Sequence, residues 1–252
     1  GVREVLYIKK GNPPAEMVRE VSQIKSMPDW KKIEQGDTAA IRAKFDELSK
    51  GPIRRSLLEE QGGLCAYCMR RITDDGRTTS IEHLYPLSRD KEKALDYGNM
   101  LAVCDGGKNI KGSCEKTLCC DAKKKDEVEL SISPFCESQI DKLEYDKAGF
   151  IKTDSQDEKI EKDLNEILGL NGVWKNGKFS TDTATNLVKG RRDAYKRYDK
   201  FIRRLDKKGK CTSAQIKKKI VEIEQAEQKQ EYAGVLLYFL KKKYHSLISR
   251  GL

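Results

Sequence analysis

Six of the eight cysteines of this chain, Cys65, Cys68, Cys104, Cys114, Cys119 and Cys120, fall between positions 65 and 120; only Cys136 and Cys211 lie outside. Over that stretch the sequence runs in short segments and turns that are poor in apolar residues, so packing alone offers little to hold it together. Disulfide frameworks belong to small secreted domains, whereas clustered thiols in a reducing compartment act as metal ligands. Cys65-Ala66-Tyr67-Cys68 is a Cys-x-x-Cys turn, which lets two thiolates reach one ion without strain, and a later pair completes a tetrahedral site. Adjacent residues of an extended backbone point to opposite sides, so Cys119 and Cys120 are not expected to serve the same ion together. The predicted site is one structural Zn²⁺ held by Cys65, Cys68, Cys104 and Cys120, with Cys114 or Cys119 as alternatives for the last position.

The chain has 252 residues, enough for one large domain or two small ones. Lys and Arg number 50 against 40 Asp and Glu, a formal net charge of +10, and 36% of residues are charged. A basic surface of this kind suits polyanionic partners. Leu, Ile and Val recur at helical spacing, which sets the chain apart from a disordered polyampholyte. No stretch reaches the roughly 20 uncharged apolar residues of a membrane span, and no apolar signal segment opens the sequence, so a cytoplasmic protein without a membrane partner is expected.

Three segments are predicted: 1–57, a strand at Val5–Ile8 and a helical lead-in; 58–155, the cysteine-bearing core; and 156–252, a helical region. Helices are expected from Asp37 to Gln61, broken at Gly51-Pro52 and ending at Gly62-Gly63. Asp74-Asp75-Gly76 suggests a hairpin joining Arg71–Thr73 to Thr79–Ile81, and a second hairpin is expected for Leu143–Tyr145 with Phe150-Ile151. After residue 155 the pattern is helical at 157–170, 183–207, 213–229 and 232–249.

The sequence has two histidines. His245 lies among lysines on the last helix and reads as a packing or surface residue, while His83 follows Glu82 and is flanked on both sides by cysteines. Glu82-His83, Asn99 and Cys120-Asp121-x-x-Lys124, set among paired cysteines, resemble the HNH nucleases. Gln61–Cys68, Ile81–His83, Gly98–Leu101 with Cys104–Gly106, and Ile167–Asn171 resemble more closely the HNH subunit of the Septu and retron-associated anti-phage systems. That resemblance spans roughly residues 3 to 195 and is specific between 58 and 126.

The resemblance implies an α+β fold, mostly α, with a zinc-stapled ββα-metal core. It implies a cytoplasmic endonuclease that hydrolyses phosphodiester bonds of DNA beside an ATPase subunit. The same base and metal serve equally for RNA, and a non-catalytic zinc module that binds nucleic acid is the remaining alternative. Carried onto this sequence, His83 is the general base, Glu82 and Asp121 are ligands of a catalytic Mg²⁺ or Mn²⁺, and Asn99 positions the hairpin and the imidazole. Many HNH proteins have His or Asn where Asp121 stands, and Asp105 is a second nearby carboxylate. Carboxylates suit hard cations and thiolates suit zinc, so two metal sites can coexist in one small fold. Arg70, Arg71, Lys123, Lys124 and Lys125 adjoin the site in sequence and are expected to contact backbone phosphates. No candidate ligand or base follows residue 121, so the helices from Thr183 to Leu252 are expected to dock the ATPase, or else to cap the core.

Overall fold

The computed structural model describes residues 7–124, 128–153, 157–175 and 178–251. It is α+β and rich in helix. Four helices lead in: α1 (Ala15–Lys25), α2 (Trp30–Gln35), α3 (Thr38–Glu47) and α4 (Lys50–Glu60). Val5 and Leu6 of the expected opening strand lie outside the described residues, and Ile8 is held by one backbone bond to Pro134 rather than in a sheet. Asp37 caps α3 by accepting from the Ala40 N–H, and α3 ends at Leu48. Gly51-Pro52, read in sequence as a break, lies in the first turn of α4, where proline has no helical hydrogen bond to forfeit. The far end of α4 runs into Gly62 and Gly63, both at positive φ, where the chain turns back toward the cysteines.

The central element is an antiparallel pair, β1 (Thr79–His83) and β2 (Met100–Cys104), in the register Thr79 to Cys104 through His83 to Met100. The predicted hairpin of 71–73 with 79–81 is therefore wrong. Arg71 instead bridges to Leu64, and Asp74 and Asp75 are engaged by Arg54, Arg55 and Arg77. What reads as a hairpin tip is a loop whose Asp74 pairs with Arg54 and Arg55 of α4. All five residues of β2 are buried, and its second edge still needs partners. Gln61 supplies them, accepting from the Ala102 N–H and donating to the Ala102 carbonyl, which also accepts from Ala66 N–H.

Beyond β2 the chain makes short 3₁₀ turns at Glu115–Thr117 and Cys120–Ala122. The Lys124 N–H reaches the Cys120 carbonyl, so one helical turn stands among the described residues where a ββα core would place its helix. Next come α5 (Glu137–Ile140), β3 (Leu143–Tyr145) paired with β4 (Ile151–Thr153), and α6 (Glu158–Lys162), which runs on in π-type geometry to Ile167. β5 (Val173–Lys175) pairs with β6 (Lys178–Thr181), a hairpin the sequence reading missed.

Three long helices close the chain: α7 (Leu187–Lys207), α8 (Ser213–Gln225) and α9 (Ala233–Ile248). They share one buried apolar cluster with the lead-in helices and the β1–β2 pair. Lys229 N–H donates to the Gly62 carbonyl, Tyr232 N–H to the Met69 carbonyl, and the Arg71 guanidinium reaches the Lys229 carbonyl. Fully buried Arg191 of α7 donates to the Gly149 and Leu170 carbonyls. These contacts tie the C-terminal helices to the cysteine-bearing segment. No helix among the described residues is long and apolar enough to cross a membrane.

Candidate metal centre and adjoining cleft

At the Thr79–Cys104 end of the β1–β2 ladder, Cys65, Cys68, Cys104 and Cys120 bring their Sγ atoms within 4.8 Å of one another. Cys65 Sγ lies 3.9 Å from Cys120 Sγ, and Cys68 Sγ lies 3.7 Å from Cys104 Sγ. Four sulfurs bound about 2.3 Å from a tetrahedral ion stand roughly 3.8 Å apart, so the spacing fits a four-coordinate metal. All four residues are buried. The Cys104 N–H points at Cys65 Sγ, 3.3 Å away, as expected of a hydrogen bond that supports a ligating sulfur.

The backbone is bent to achieve this convergence. Cys65 N–H bonds the Arg70 carbonyl and Met69 N–H bonds the Cys65 carbonyl, closing the Cys-x-x-Cys turn. Met69 and Cys120 both sit at positive φ, 61° and 55°, a conformation that costs a non-glycine residue about 1 kcal/mol or more. Gly106, at φ 61°, lets the turn after β2 approach the Cys119 carbonyl so closely that a Cβ would stand 2.1 Å from it. That approach brings Cys104 and Cys120 together. Cys119 is buried beside the cluster without joining it, its Sγ meeting the Gly106 carbonyl and the Thr185 hydroxyl as well as its cysteine neighbours, and Cys114 is exposed. Of the alternatives that the sequence left open, Cys120 completes the cluster.

The other end of the ladder carries different chemistry. His83 ends β1, and its Nε2 lies 3.0 Å from the Ala94 carbonyl. A carbonyl only accepts, so Nε2 carries the proton and Nδ1 keeps its lone pair. The imidazole packs edge-on against Phe45 with ring centroids 4.6 Å apart. Burial first, then the charges of Arg42, Lys124 and Lys50, lower its pKa to about 4, so at neutral pH it is an unprotonated acceptor. Asn99 fixes the loop that supplies Ala94: its Oδ1 accepts from Tyr85 N–H, and its Nδ2 donates to the Tyr85 and Lys93 carbonyls.

Glu82 is buried. Its Oε1 accepts from the Lys124 ammonium at 2.7 Å and from the Tyr67 hydroxyl at 3.3 Å. Burial and then the neighbouring Asp121 carboxylate push its pKa up to about 7, against the pull of Lys124. Glu82 and Asp121 are thus two oxygen donors at one place, a set that suits a hard divalent cation. Glu82, His83 and Lys124 line a cleft of about 260 Å³ together with Thr38, Arg42, Pro86, Leu87 and Ser88. A larger cleft of about 790 Å³, between α1 and residues 92–98, is lined by neither histidine nor cysteine, and the reactive groups are in the smaller one.

The basic residues nominated from sequence are spread more widely. The Arg71 guanidinium is spent on the Gly62, Gly63 and Lys229 carbonyls. Arg70 is half-buried near the thiols, Lys123 is half-buried beside Gly169, and Lys125 lies outside the described residues. Lys124 has its ammonium on a carboxylate rather than in solvent. Asp105 holds the Gly107 N–H, at the thiol end of the ladder. Arg42 and Thr38 went unremarked in the sequence because α3 precedes the hairpin by some forty residues and its polar face looks like any solvated helix. No protein-family model matches the chain, and no curated protein does.

Proposed function

We propose that this chain is a metal-dependent endonuclease of the HNH type that hydrolyses phosphodiester bonds of DNA. The observation that supports it is the placement of His83, whose Nε2 lies on the Ala94 carbonyl, in a cleft shared with the Glu82 carboxylate and the cations of Arg42 and Lys124. Phosphodiesters repel hydroxide, so hydrolysis needs a base that takes the water proton as the oxygen attacks phosphorus. His83 Nδ1 takes that proton. Arg42 draws the phosphate into the cleft, and its negative charge raises the basicity of the imidazole toward the working pH. Asn99 keeps the Ala94 carbonyl, and with it the tautomer, in place. Glu82 and Asp121 would hold a divalent cation, which would supply charge stabilisation for the crowded phosphate and the departing oxygen.

The thiol cluster is assigned to structural Zn²⁺, because four buried sulfurs close the coordination shell and leave no place for substrate. Together with the resemblance to Septu HNH subunits, this gives a nuclease effector of an anti-phage complex, working beside an ATPase subunit that docks on the outer faces of α7–α9.

The test is cleavage of duplex DNA and of RNA by purified protein with Mg²⁺ or Mn²⁺, alone and with its partner. His83→Ala is expected to lower the rate by about 10² to 10⁴ with the fold and zinc content kept. Cleavage by His83→Ala at the wild-type rate sinks the assignment; cleavage of RNA alone keeps the chemistry and replaces the substrate.

A further inference from the structure

We infer that Lys124 is a latch on the cation position of the cleft: its ammonium holds Glu82 until a divalent cation displaces it, and the released ammonium then meets the phosphate. The inference rests on the reading of Glu82 and Asp121 as cation ligands, and goes beyond it by giving the lysine a role in admitting the ion.

The Lys124 side chain is 2% exposed. Lysine is rarely buried without a partner, and a buried pair gains little net stability over an apolar one, so its presence needs a reason. The reason lies in the two carboxylates. Asp121 lies close to the buried Glu82 carboxylate, and the Lys124 ammonium, 2.7 Å from Glu82 Oε1, is its counter-ion at bonding distance. A hard divalent cation seeks the same oxygen. An ammonium and a doubly charged ion cannot share it without strong repulsion, so entry of one expels the other.

The surroundings allow the exchange. The backbone of Lys124 is anchored, its N–H on the Cys120 carbonyl one turn from the thiol cluster, so only the side chain need move. It lines the 260 Å³ cleft with Arg42, His83, Thr38 and Ser88, which gives the displaced ammonium a space beside another cation and the base. A phosphate entering there meets Lys124 only after the cation has bound. Without substrate the latch keeps the two carboxylates compensated and weakens cation binding.

The experiment is Mn²⁺ binding to the zinc-loaded full chain without nucleic acid, read as free Mn²⁺ by electron paramagnetic resonance. Lys124→Gln keeps a donor on Glu82 but removes the charge, and is expected to bind Mn²⁺ at least about tenfold more tightly than wild type. Lys124→Arg keeps the charge and is expected to stay near wild type, while Glu82→Gln abolishes the site. Should Lys124→Gln fail to fold, the wild-type chain suffices: the ¹⁵N signal of the buried Lys124 ammonium is expected to vanish into solvent exchange on Mg²⁺ saturation. Equal Mn²⁺ affinity of Lys124→Gln and wild type, or an ammonium signal unchanged by Mg²⁺, overturns the latch and leaves the nuclease reading standing. Absence of Mn²⁺ binding in wild type and both lysine variants overturns the cation assignment and the latch together.

Discussion

The two ends of the β1–β2 ladder are only about 14 Å apart, four residues at roughly 3.4 Å each, yet their chemistry differs. At the Cys104 end four soft sulfurs converge, all of them buried. At the His83 end the groups are oxygen and nitrogen, the burial is incomplete, and a cleft gives access. One strand pair thus carries a closed cluster of thiols at one end and an accessible group of polar side chains at the other. The rigidity of the first keeps the second in register, because Cys120 roots the turn that presents Asp121 and Lys124 to Glu82.

The sharpest way to break that relation is at the thiols. Zinc in small structural sites supplies on the order of 10 kcal/mol of folding free energy. Cys120→Ser is expected to remove the metal, the cooperative unfolding transition and all order at the cleft. Cys119→Ser, one residue away, is expected to keep the metal and to cost under about 1 kcal/mol, since a hydroxyl still meets Gly106 and Thr185. Metal content and thermal unfolding of the pair separate a ligand from a neighbour; equal losses in both would remove the distinction drawn between them.

A smaller effect is expected from the cleft side. Asn99→Ala leaves backbone groups of Tyr85 and Lys93 without their side-chain partner, at a cost of about 1–3 kcal/mol. The thiol centre should keep its metal while cleavage falls, because the loop that holds Ala94 against His83 loosens. Loss of zinc in this variant would show that the two ends are not separable.

The smallest effect is the pH dependence of folding. The pKa of His83 is depressed to about 4, so its contribution is full above its unfolded value near 6.5 and is lost as pH falls through 4. That of Glu82 is raised to about 7, so its contribution is full below its unfolded value near 4.5 and is lost as pH rises through 7. Between pH 4.5 and 6.5 the two slopes oppose, and wild-type stability is expected to be nearly flat. His83→Asn removes one slope. Urea unfolding of that variant should then show stability falling, by on the order of 1 kcal/mol, as pH rises across the same window. An unchanged profile would mean that burial does not hold the imidazole neutral.

Much of the local chemistry was legible in the residues. Cys-x-x-Cys forces a turn whatever surrounds it, adjacent cysteines cannot both face one ion, and Gly62-Gly63 permits the positive φ that ends α4. Amphipathic spacing located α7, α8 and α9 to within a few residues, since a helix's apolar stripe is written along the chain itself. Asn99 and Glu82-His83 stood out by their setting. What the residues in sequence could not give was pairing across distance. The partner of β1 is β2, with sixteen residues between them, rather than the nearer Arg71–Thr73, and arginines from α4 engage Asp74. Arg42 reaches the cleft only because α3 packs Phe45 on His83. That Lys124, expected from its place in sequence to contact phosphates, is buried on Glu82 likewise depends on a residue 42 positions away. By itself the sequence determined which groups can bind a metal or take a proton, because those are properties of single side chains and their near neighbours. Only the tertiary structure decided which of them meet, because burial, charge pairing and the tautomer of His83 depend on groups that the chain brings together from far apart.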